Sequence, residues 1–91
     1  MANLDEMREQ IDKIDAEILE AFQKRMNLSA EIAKYKKENN LPVLDEKREK
    51  EKLDRIAKSV NEDMSAFTSK LYLTLADLSR DYQNKLNSGE K

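Results

Sequence analysis

From Leu4 onward the apolar side chains fall at Leu4, Met7, Ile11, Ile14, Ile18, Ala21, Leu28, Ile32 and Tyr35, in alternating steps of three and four with one position skipped. Such spacing keeps a single stripe of an α-helix apolar, and sustained over this distance it is a heptad seam. The one proline, Pro42, and the one glycine, Gly89, both lie outside the run. A helix over about 4–38 is therefore predicted. At ~1.5 Å per residue it would be roughly 50 Å long, far longer than a compact monomer of this size needs. Its seam must pack on something besides its own chain.

The helix is expected to stop at Asn39-Asn40-Leu41-Pro42, because Pro42 cannot continue it and biases Leu41 toward extended backbone. Asp45 then reads as an N-cap for a second helix over about 46–60, with Glu46 and Glu49 favourably placed in the first turn and Leu53, Ile56 and Val60 on the buried side. Asn61-Glu62-Asp63 is a second capping cluster. After it Met64, Phe67, Leu71, Leu75, Leu78, Tyr82 and Leu86 repeat at helical spacing, predicting a third helix over about 64–87. The chain reads as one all-α domain without internal repeats, its last few residues frayed.

Charged residues make up 40% of the chain and hydrophobic ones 38%, against a typical charged share of about 25%. One copy thus has little apolar material for a core, which again favours a second copy. Lys+Arg 17 against Asp+Glu 19 leaves a net charge of -2, not the basic footprint of a nucleic-acid binder. No apolar run approaches the ~18 residues of a membrane span. A soluble, cytoplasmic chain is expected. The sequence has no cysteine and no histidine, which removes disulfides, thiolate nucleophiles, the usual zinc ligands and the usual general base. Neither metal nor cofactor is expected, and any chemistry must run on Arg, Lys, carboxylates and amides.

Several polar residues do not suit a plain bundle. Arg25 occupies the skipped position of the seam. Periodicity leaves two readings open: a polar residue that sets coiled-coil register or extends its guanidinium out of the seam, or a cation facing an internal cavity. Lys36 lies about three turns on, nearly in line with Arg25 and roughly 16 Å along the axis, so two long side chains can converge on one ligand. Arg8 is roughly 42 Å from Lys36 on a straight helix. If Arg8 serves the same ligand, it comes from another subunit; otherwise Arg8 and Lys36 are solvated surface charges. Asp45, Arg48 and Glu49 share the first turn of the second helix, either as cap and surface pair or as part of a site. Ser79 and Gln83 stack one turn apart on the third helix.

The pattern Leu4-x-x-Met7-Arg8-x-x-Ile11-x-x-Ile14-Asp15, then Arg25, Lys36, Pro42-Val43-x-Asp45-x-x-Arg48-Glu49 and Ser79-x-x-x-Gln83 resembles the all-helical chorismate mutases over residues 4–83. The resemblance implies an intertwined homodimer of three-helix chains with two equivalent active sites. In each, chorismate would rearrange to prephenate on the route to phenylalanine and tyrosine. By this resemblance Arg8 of the partner chain and Arg25 would bind the substrate's carboxylates. Lys36 would contact a carboxylate and the ether oxygen, to which Gln83 would also donate. Asp45 and Glu49 would hold the ring hydroxyl, with Arg48 and Ser79 completing the carboxylate contacts. Catalysis would then rest on Arg25, Lys36, Glu49 and Gln83, without a cofactor. Arg80 departs from the pattern, putting a charge beside Ser79 where many relatives carry an apolar residue. No residues are left over for the dehydratase, dehydrogenase or aldol-type synthase fused to some relatives, so the chain is expected to be monofunctional or a piece of a longer protein. The alternatives are an isochorismate pyruvate lyase of the same fold and a non-catalytic helical interaction module.

Overall fold

A computed structural model describes residues 3–89. Three helices follow in order: α1 over Leu4–Glu38, α2 over Glu46–Lys58 and α3 over Glu62–Asn87. Asn3 caps α1 by accepting from the Glu6 amide at 2.9 Å, and Asp5 and Glu6 face the positive end of the helix dipole. At the other end Asn40 takes a left-handed φ of 55°, and the Leu41 amide returns to the Lys36 carbonyl at 2.7 Å, turning the chain before Pro42. Asp45 caps α2 through the Arg48 amide at 3.1 Å.

Two boundaries differ from the sequence reading. The second helix stops at Lys58 because the Ser59 hydroxyl and amide both fold back on the Ile56 carbonyl, so Val60 lies beyond its end and is exposed. The third helix starts at Glu62, with Glu62 and Asp63 inside its first turn.

α3 lies between the other two and packs against both. The three helices form a slab of 56 × 31 × 14 Å; with a helix diameter of about 10–12 Å, that is a single layer. The radius of gyration of 16.6 Å exceeds the ~12 Å of a compact domain of this length. Every residue from Asn3 to Ala21 is exposed, and the seam residues Ile11 and Ile18 are 54% and 57% exposed. On α3 the stripe turned inward is not the apolar one. Tyr72, Ala76, Ser79 and Gln83 are buried, whereas Phe67, Leu71 and Leu78 face outward. The chain alone thus leaves two long apolar stripes open to water.

The turn after α1 gives a stability prediction. Left-handed backbone costs most residues about 1–2 kcal/mol but is tolerated by Gly and Asn. Asn40→Val should therefore lower the melting temperature by about 4–8 °C per kcal/mol lost, while Asn40→Gly stays close to the parent at the same chain concentration. Equal melting curves for the two variants would show that this φ is not enforced.

Candidate active site

The helices line an open cavity of about 330 Å³, at the small end of the range for small-molecule sites. α1 contributes a stripe of Arg25, Ser29, Ile32 and Lys36, spaced four, three and four apart. The segment before α2 brings Val43 and Asp45, α2 brings Arg48, Glu49 and Lys52, and α3 brings Tyr72, Ala76, Ser79, Arg80 and Gln83. Of the residues singled out in the sequence, Arg25, Lys36, Asp45, Arg48, Glu49, Ser79 and Gln83 meet here. Arg8 does not: it lies in the exposed first half of α1 and is not part of this wall.

Arg25 leaves the seam and turns inward, donating to the Leu75 carbonyl at 3.2 Å and to the Ser79 hydroxyl. The seam is interrupted here because the position faces the cavity. The Lys36 ammonium donates to the Val43 carbonyl at 2.8 Å, tying the end of α1 to the segment after Pro42. Asp45 caps α2 through Oδ1, with its carboxylate at the cavity edge. Glu49 is gripped by one nitrogen of Arg80 at 3.0 and 3.2 Å, and Arg80 also bonds Asp77. Arg80, which broke the pattern in sequence, thus spans α3 to α2 and shares the wall with Ser79.

Gln83 is buried, and its Nε2 donates to the Ser29 hydroxyl at 2.9 Å. Its Oε1 is buried with no partner, which costs roughly 1–3 kcal/mol. The two ends of an amide occupy nearly the same space, and a hydroxyl either donates or accepts. Turned about, the amide would accept a hydrogen bond from the Ser29 hydroxyl on Oε1 and present Nε2 on the other side.

Ser29 and Lys52 were not singled out in the sequence. Ser29 lies on the Arg25–Lys36 stripe, four residues after Arg25, and that spacing is the signal that could have found it. Lys52 lies one turn after Arg48, in a helix so rich in charge that one more lysine carries no signal. Burial first, and then the charges of Arg25, Arg48 and Arg55, push its ammonium below the usual lysine range. Around the cavity Arg25, Lys36, Arg48, Lys52 and Arg80 face only Asp45 and Glu49, an arrangement suited to an anion. Among the described residues no cluster of His, Cys, Asp and Glu is placed to hold a metal, and no helix is long and apolar enough to cross a membrane.

Fold and site together define a small helical protein with a cation-lined cavity between three helices. Residues 7–84 match the type II chorismate mutase family, and the chain belongs to that family. Its curated relatives include the chorismate mutase of Methanocaldococcus jannaschii, 39% identical over 59 residues, 65% of this chain and 60% of that one. The bifunctional chorismate mutase/prephenate dehydratase of Aquifex aeolicus is 39% identical over 56 residues, covering 62% of this chain and 16% of the relative. The matched segments thus span less than two thirds of either relative. No solved structure matches the chain significantly.

Proposed function

We propose that the chain is a chorismate mutase, rearranging chorismate to prephenate in the cytoplasm as a homodimer. The observation that carries this reading is the convergence of Arg25, Lys36, Asp45, Arg48, Glu49, Ser79 and Gln83 from separate elements on one cavity, together with membership of the family. A Claisen-type rearrangement breaks the ether C–O bond while a C–C bond forms in the same molecule. It needs neither base nor nucleophile, so a site of cations and an amide suffices. Clamping both carboxylates holds the reactive compact conformer, and donors at the ether oxygen stabilise the charge that grows there.

In this reading Arg25 and Arg48 hold carboxylates, with Ser79 positioning Arg25. Lys36 and Gln83 donate to the ether oxygen, Gln83 with its amide turned as described. Asp45 and Glu49 accept from the ring hydroxyl. Arg8 of a second copy completes the carboxylate clamp. Support for the second copy comes from the exposed α1 seam, the single-layer slab and the distance of Arg8 from its own cavity.

The test is direct. Mixing purified protein with chorismate should remove chorismate absorbance and yield prephenate, with isochorismate turned over far more slowly. Faster pyruvate release from isochorismate would make the chain a lyase. Inertness toward both, in folded protein, would leave a helical interaction module.

A further inference from the structure

The cations of the cavity are unequally committed. Arg25 is spent on Ser79 and the Leu75 carbonyl, Lys36 on the Val43 carbonyl and Arg80 on Glu49 and Asp77. Among the described residues, the Lys52 ammonium has no carboxylate within 4 Å. It sits 5.4 Å from the centroid of the Tyr72 ring, a weaker hold than an ion pair. The charges that perturb it are the cations Arg25, Arg48 and Arg55, and like charges four apart on one helix, as Arg48 and Lys52 are, repel. A solvated lysine would point away from such neighbours. This one is half-buried and lines the cavity with them.

We infer that Lys52 is a substrate-binding residue, its ammonium receiving a carboxylate of the ligand alongside Arg48. An anion between them turns mutual repulsion into shared attraction. The inference rests on the cavity being the chorismate site and adds a contact that the family pattern in this sequence does not assign.

The claim has a pH signature. The charged and titratable groups facing Lys52 are Arg25 and Lys36 from α1, Asp45 from the segment before α2, Arg48, Glu49 and Arg55 from α2, and Tyr72 and Arg80 from α3. Because its pKa is lowered, Lys52 supplies its full attraction on the acid side and loses it as pH rises through that lowered value. A guanidinium at the same position stays charged. An alkaline limb set by any other group would be common to every variant, so the difference between variants isolates Lys52.

Steady-state kinetics with chorismate across neutral to alkaline pH, on the parent, Lys52→Met and Lys52→Arg, tests this. Loss of one charge-assisted contact should raise the KM of Lys52→Met about tenfold or more at neutral pH, with kcat little changed. Lys52→Arg should keep a KM near the parent's and hold it to higher pH. A methionine variant within twofold of the parent, or an arginine variant with the parent's alkaline limb, overturns the inference. A parent inert toward chorismate defeats the functional reading instead. The claim for Lys52 is then decided by calorimetry with malate, a dicarboxylate that cannot rearrange: its Kd should rise by a similar factor in Lys52→Met, and no rise, or no binding to the parent, overturns it.

Discussion

Gln83→Ala is expected to lower kcat for chorismate by about 100- to 1,000-fold, the loss that follows removal of one oxyanion-hole donor, while KM changes far less. Charge builds on the ether oxygen only as the C–O bond breaks, so a donor aimed there binds the transition state more tightly than the substrate. Gln83→Glu is the stricter test. A carboxyl group donates to the ether oxygen only when protonated. Activity should therefore be low at neutral pH and climb as pH falls through the pKa of the introduced group, while the parent varies less. The Ser29 hydroxyl, 2.9 Å from the Gln83 amide, is placed to serve either end of that side chain. A fully active Gln83→Glu enzyme with a flat pH profile would remove Gln83 from the ether oxygen.

Arg8→Ala and Arg25→Ala should each abolish measurable turnover alone, and co-refolding the two should restore it. Arg8 lies outside the wall of its own cavity and Arg25 lines it. A site that takes Arg8 from one copy and Arg25 from the other is intact on one side of a mixed dimer and doubly defective on the other. With random mixing, half the dimers are mixed and each has one good site, so about a quarter of parental activity is the ceiling. Verified heterodimers without activity would mean that the arginines do not act across the interface.

How much of this was legible in the sequence depended on contrast. Arg25 stood out because it interrupts a seam of Ile and Leu, and the break at Pro42 followed from the missing amide hydrogen. On α3 the apolar stripe through Phe67, Leu71 and Leu78 was plain, but the face that packs inward, Tyr72, Ala76, Ser79 and Gln83, was not. Small and polar residues leave little trace in a hydrophobic pattern, and they suit an interior that is also a binding wall. Lys52 was illegible for the opposite reason: in Glu46-Lys47-Arg48-Glu49-Lys50-Glu51-Lys52 charge is the background, and only the fold distinguishes the lysine turned toward Tyr72 from those turned to water. Arg80 was visible as an anomaly, but its partner Glu49, 31 residues away in the chain, was not.

Among the described residues of a single chain, the buried ones are Ala33, Tyr72 and Ala76 with Ser29, Ser79 and Gln83, and all but Ala33 also line the cavity. In most small domains interior and working surface are separate, so drift in one leaves the other intact. Here they coincide. Leucine at Ser79 or Gln83 would add apolar contact and remove buried polar groups, one of them unpaired, which are changes that ordinarily raise stability. The same changes would erase the groups that face the ligand. Pressure for heat resistance and pressure for activity therefore act in opposite directions on the same side chains.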